Sequence, residues 1–129
     1  MCIIYLVYVF FFILEVKKEK TYHNIILHMS VFAEIIINKL KTLGAKIKIY
    51  DPYFKGSQVF GINSEQNIDD ALSKVDAAII ITAHKEFQEI DPKIFSKMKT
   101  PTLIDSRGII DTVSAKNAGL VFRGLGRGI

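Results

Sequence analysis

The sequence predicts an α/β domain built on a doubly wound, mostly parallel sheet. Three observations carry that prediction. From Val31 onward, helical patterns alternate with short apolar runs, as successive βαβ units require. One of those runs, the apolar centre of "DAAIIIT" at 76–82, has no polar interruption, which fits a strand covered on both faces. The chain has 129 residues, 50% hydrophobic and 23% charged, which suits a single domain with one modest core.

The elements follow in order. The opening "MCIIYLVYVFFFIL" is fourteen residues without a charge, followed by "EVKKEK". As a helix it would span about 21 Å at ~1.5 Å per residue, short of a ~30 Å hydrocarbon core. The lysines come after the apolar run and no small-residue cleavage site follows, unlike a secretory signal. Three readings stay open: a long buried strand, a short membrane anchor over residues 1–14, or a segment outside the native fold. Residues 1–29 are therefore an unassigned apolar segment, and 30–129 form the predicted domain.

In "VFAEIIINKLKTL" (31–43), Phe32, Ile36, Leu40 and Leu43 make one helical stripe, and Gly44 is placed to end it. A strand must precede that helix, supplied by "IIYLVYVFF" or by "NIILHM". "AKIKIY" reads as a strand closed by Asp51-Pro52, and "QVF" at 58–60 as a short further strand. In "NIDDALSKV", Ile68, Ala71, Leu72 and Val75 follow helical spacing with Asn67 as N-cap. After the strand in "DAAIIIT" come a helical stretch around "HKEF" and another in "DPKIFSKM", capped by Asp91 with Pro92 in its first turn. "TPTLID" gives another strand, then "SRGIID", a polar segment ending "NAG", and a last strand "LVFRG". This succession is Rossmann-like.

Charge excludes one class of function. The net charge is +4, but the fourteen lysines are scattered and no basic stretch is interleaved with aromatics, so nucleic acid is not the expected partner. The three arginines, Arg107, Arg123 and Arg127, all fall in the last 23 residues, each near a glycine. Their rigid forks suit phosphate or carboxylate in a way that lysine does not. Cys2 is the only cysteine, and His23, His28 and His84 lack ligand spacing, so neither a disulfide nor a metal site is expected.

In open α/β sheets the ligand lies beyond the carboxyl ends of the strands. Those ends offer Asp51 and Tyr53, Thr82 and His84, Asp105, Ser106 and Arg107, then Arg123. The set holds donors and guanidinium forks but no activated nucleophile with its base. His84 reads as a cap, a pocket wall or a general base. Asp51 and Asp105 either pair as acid and base or hold loops through backbone N–H groups. "GLGRG" (124–128) looks like part of a dinucleotide fingerprint, but no helix follows to receive a pyrophosphate.

Four segments in order, "LGAKIKIYDPY", "DDALSKVDAAIIITAHKEF", "TLIDSRGIID" and "AGLVFRGLGRG", resemble the C-terminal domain of the UDP-glucose/GDP-mannose dehydrogenases. The resemblance runs from about Phe32 to Ile129. "YDPY", "TAHKEF" and "IDSRG" look most like UDP-N-acetylmannosamine dehydrogenases. It implies a Rossmann-like UDP-sugar-binding domain from an enzyme that oxidises a nucleotide sugar at C6 with NAD⁺. Arg107, in the "D-x-R" motif, is similar to a substrate-contacting arginine of the family. Asp105, Tyr53, Thr82 and His84 join it as candidate substrate-binding residues.

The departures are equally specific. Nothing matches the family's catalytic cysteine motif or its NAD fingerprint, and "NIILHM" stands where a lysine- and arginine-bearing motif is expected, with Ser30 its only survivor. No catalytic residue, cofactor or metal ligand is therefore assigned to this chain, and NAD belongs to a complete family enzyme. The expected partners are a UDP-sugar and a separate chain carrying the NAD-binding and central domains, with homo-oligomers left open. The expected location is cytoplasmic, or at a membrane if residues 1–14 tether it. The rival readings are a non-enzymatic nucleotide-sugar-binding module and a degenerate gene fragment.

Overall fold

The computed structural model describes residues 5–9 and 32–125. Among these residues are seven strands: β1 (Tyr5–Val9), β2 (Lys46–Tyr50), β3 (Gln58–Val59), β4 (Ile62–Asn63), β5 (Ala77–Ile80), β6 (Thr102–Asp105) and β7 (Val121–Gly124). Five of them make a parallel sheet in the order β2-β1-β5-β6-β7. The doubly wound α/β prediction is thus observed. The strand demanded before the first helix is β1, which lies between β2 and β5 and pairs with both. "NIILHM" and residues 10–14 lie outside the described residues.

The helices are α1 (32–42), α2 (Ile68–Leu72), α3 (Lys85–Gln88) and α4 (Thr112–Asn117), with a 3-10 turn at Pro92–Lys97. Their starts are capped as composition dictates. Asn67 Oδ1 accepts from Asp70 N–H at 2.8 Å, and Asp91 Oδ1 accepts from Lys93 N–H at 3.0 Å. The segment expected to be helical after Asp91 is a 3-10 turn, six residues long and stopped by Met98 in extended conformation. Past α1, Gly44 takes a φ of +88° while Ala45 N–H donates to the Leu40 carbonyl, closing the helix as expected. Lys48, on β2, donates its ammonium to the carbonyls of Asp70 and Ser73 at the end of α2.

Two apolar clusters cover the two faces of the sheet. On one, Ala33 and Ile37 of α1 pack with Ile49 and Ile81. On the other, residues of α2, α3, the 3-10 turn and α4 pack with Tyr50, Ala78, Ile80, Leu103 and Phe122. The expected stripe on α1 is corrected by one position. Phe32 and Leu43 are 51% and 71% exposed, whereas Ala33 and Ile37 are sealed. The helix is apolar on several sides, so periodicity alone does not mark which side meets the sheet.

Two smaller departures have clear causes. "QVF" is a strand only through Val59, because Phe60 (φ +50°) and Gly61 (φ +74°) form the two-residue turn of the β3–β4 hairpin. The polar segment before "NAG" contains α4, capped by Asp111, whose Oδ2 accepts from Ser114 N–H at 2.8 Å. Only Ala115 of that helix is buried, so it carries almost no apolar periodicity.

The corrected face of α1 has a direct check by denaturant unfolding. Ile37→Ala should cost about 2–5 kcal/mol, the range for a sealed aliphatic side chain. Leu43→Ala should stay within about 0.5 kcal/mol.

Candidate functional site

All five strands of the main sheet run the same way, so Val9, Tyr50, Ile80, Asp105 and Gly124 share one edge. The chain steps from β1 outward to β2, then returns past β1 to β5. That reversal puts the switch point between β1 and β5, where such sheets open a crevice. The predicted site residues follow the ends of β2, β5 and β6.

Beyond β2, Asp51 is fully buried and holds a turn. Its Oδ1 accepts from Tyr53 N–H at 2.9 Å, its carbonyl accepts from Phe54 N–H, and its own N–H donates to Ser64 Oγ at 3.1 Å. The turn lifts Tyr53 to the surface, 62% exposed. Its ring still meets the His84 ring edge-on, with centroids 5.0 Å apart. The contact joins the segments that follow β2 and β5, the two strands that flank β1.

Beyond β5, Thr82 is 8% exposed, and its hydroxyl is buried without a hydrogen-bond partner among the described residues. Its carbonyl accepts from His84 N–H. His84 N-caps α3, with Nδ1 accepting from Glu86 N–H at 2.9 Å, so the neutral ring carries its proton on Nε2. Burial lowers the His84 pKa, opposed by the charge of Glu86. Tyr50 donates its hydroxyl to Glu86 Oε1 at 3.3 Å. Burial, and then the Glu86 charge, push the phenol up to about 12, so it stays protonated. Tyr50, Phe87, His84 and Tyr53 thus form a continuous series of edge-on rings from the core to the surface.

Beyond β6, Asp105 is fully buried and its carboxylate gathers three backbone donors. Oδ1 accepts from Arg107 N–H (2.9 Å) and Gly108 N–H (2.8 Å), and Oδ2 accepts from Ile110 N–H (2.9 Å). Ser106 ties this loop to β5, donating its N–H and hydroxyl to the Ile80 carbonyl at 3.0 and 2.6 Å. Arg107 is exposed, and its guanidinium has no partner among the described residues.

The structure brings Tyr53, Thr82 and His84 together at the switch point, with the Asp105–Arg107 loop stitched alongside. It separates Asp51 from Asp105. Their strands lie three spacings apart, about 14 Å, so an acid–base pair is excluded and each holds its own loop. Arg123 sits within β7, opposite Ile104, and donates to the Phe122 carbonyl. Residues 126–128 of "GLGRG" lie outside the described residues. The aromatic series was not predicted. Its signal was present in "YDPY" and "HKEF", but their proximity depends on strand order. Among the described residues no cluster of three or more His, Cys, Asp or Glu could hold a metal, and no helix is long and apolar enough to cross a membrane.

Residues 32–112 match the UDP-glucose/GDP-mannose dehydrogenase family, UDP binding domain. The chain belongs to that family. It is 32% identical over 97 residues to the UDP-glucose 6-dehydrogenase TuaD of Bacillus subtilis (strain 168), an alignment covering 71% of this chain and 21% of that protein. The UDP-glucose 6-dehydrogenase of Rhizobium meliloti (strain 1021) is 30% identical over 98 residues, covering 71% of this chain and 22% of the relative. That of Rickettsia bellii (strain RML369-C) is 35% identical over 97 residues, covering 70% and 22%. The chain thus spans about a fifth of the length of the relatives it matches.

The His84 cap implies a pH dependence of stability. The unfolded chain takes up a proton near pH 6.5, whereas the folded state resists it to lower pH. The cap's contribution is therefore complete above pH 6.5 and is lost as pH falls toward the lowered native value. Thermal unfolding across pH 4.5–8 should show this loss, and His84→Asn, which can cap without titrating, should lack that component.

Proposed function

We propose that this chain is a UDP-sugar-binding domain of an NAD-dependent nucleotide-sugar 6-dehydrogenase, with Arg107 gripping the diphosphate. One observation carries the reading. In a chain of this family, a fully buried Asp105 binds three backbone N–H groups and thereby presents the Arg107 guanidinium, unpartnered among the described residues, at the strands' carboxyl edge. A guanidinium fork matches paired phosphate oxygens.

Oxidation itself requires groups that this sequence does not carry. The family's catalytic cysteine motif and dinucleotide fingerprint are absent from it. NAD and the reacting cysteine therefore belong to a separate chain or to further sequence, and these 129 residues alone bind without oxidising. The relatives are named for UDP-glucose. The "YDPY", "TAHKEF" and "IDSRG" segments favour a UDP-N-acetyl sugar instead, so both classes belong in the test. A cytoplasmic location accords with such substrates.

The test is calorimetric titration of the folded protein with UDP, UDP-glucose, UDP-N-acetylglucosamine and GDP. Uridine nucleotides should bind more tightly than GDP. Arg107→Ala should weaken UDP roughly ten-fold or more, as loss of a charge-assisted pair implies, and Arg107→Lys should fall between. No heat at millimolar ligand, or an unchanged affinity in Arg107→Ala, would contradict the proposal.

A further inference from the structure

The main sheet ends in two outer strands, β2 and β7, and their free sides are treated differently. Outside β2, the Ile49 carbonyl accepts from Glu65 N–H at 2.8 Å and Ile49 bridges to Ser64, so the chain that follows β4 closes that side. Outside β7 no strand lies among the described residues. The N–H groups of Val121 and Leu125 turn inward, donating to the Pro101 and Asp105 carbonyls at 2.8 and 3.0 Å. Successive residues of a strand aim their backbone groups to opposite sides, so the N–H and C=O of Phe122 and Gly124 face outward. The neighbouring side chains are apolar as well, with Val121 50% and Leu125 61% exposed. An edge of that kind is a template for another strand.

We infer that Arg123 guards this edge against pairing with β7 of a second copy of the chain. Its guanidinium Nη1 donates to the Phe122 carbonyl at 3.0 Å. That carbonyl is one of the outward acceptors, so the bond sets a charged group where an added strand needs to dock. A second copy is the strand that fits, because β7 is self-complementary about a two-fold axis. Antiparallel pairing with Phe122 opposite Gly124 of the other copy gives each outward N–H an outward carbonyl. The same register sets Arg123 opposite Arg123, and like charges directly opposed destabilise a strand pair. Arg123 therefore acts twice, by occupying an acceptor and by repelling its own copy. The fold of one chain has little call on its side chain, which is exposed while the Arg123 backbone pairs opposite Ile104. The inference does not depend on nucleotide binding.

The experiment follows self-association of the full chain by sedimentation velocity over a broad concentration range. It compares wild type with Arg123→Ala, Arg123→Thr and the double variant Arg123→Ala/Gly124→Pro. Loss of a charge-assisted bond implies that Arg123→Ala tightens dimerisation roughly ten-fold or more. Arg123→Thr should do the same, and its strand propensity keeps the test open if the alanine variant folds poorly. Gly124→Pro removes an outward N–H and leaves the bonds to β6 in place, so the double variant should return to the wild-type association. Wild-type association in the folded Arg123 variants would overturn the inference. So would tightened association that persists in the double variant, since it would run through another surface. Arg123 is exposed, so its variants should unfold close to the wild-type temperature, which separates edge pairing from aggregation of unfolded chain.

Discussion

The buried carboxylate of Asp105 is the constraint on which the ligand edge depends. A carboxylate removed from water costs several kcal/mol unless its lone pairs are engaged, and here three backbone N–H groups engage them. Hydrogen bonds to a charged group contribute about 1.5–3 kcal/mol each, enough together to offset that cost. The consequence is geometric. With the N–H groups of residues 107, 108 and 110 all directed inward, the loop can take few shapes, and the Arg107 side chain is left outside it. Ser106 then anchors the loop to the neighbouring strand through the Ile80 carbonyl. Loop and sheet edge behave as one unit.

Asp51 does related work at the end of β2, but its reach is extended by aromatic rings. Tyr50 points into the core, donates to Glu86 and packs against Phe87, while Tyr53 contacts His84. These contacts join the end of β2 to the start of α3 across an intervening strand. His84 belongs to both systems, because one nitrogen caps α3 and its ring supports Tyr53. The same side chain that starts a four-residue helix also sets the rim of the crevice. Burial favours the neutral imidazole, the form in which Nδ1 can accept from the Glu86 N–H.

How much of this was legible in the sequence depended on how local each feature is. Among the strands of the main sheet after Val31, β5 and β6 announce themselves as apolar runs and β2 as an alternation of Lys and Ile, and the caps at Asn67, Asp91 and His84 need only nearby residues. The buried face of α1 was misjudged because Phe32, Ile35 and Ile36 compete with Ala33 and Ile37, and only the sheet decides among them. α4 was missed because a short helix burying one alanine has no pattern to read. At the site, "D-x-R" identified the Asp105–Arg107 loop. The meeting of Tyr53 with His84 could not be read, since it depends on β1 inserting between β2 and β5. That the Thr82 hydroxyl has no partner among the described residues is likewise a property of packing and not of spacing.

The most direct test of this account is to map UDP onto the isotopically labelled protein by amide chemical shifts. The account predicts that the largest changes fall on the carboxyl edge, at Arg107, Gly108 and Ile110 and around Tyr53, Thr82 and His84. Amides at the opposite ends of the strands, such as Lys46, Ala77 and Thr102, should stay unmoved. Saturable shifts confined to any other surface would show that the chain binds its nucleotide elsewhere, and would contradict the central claim.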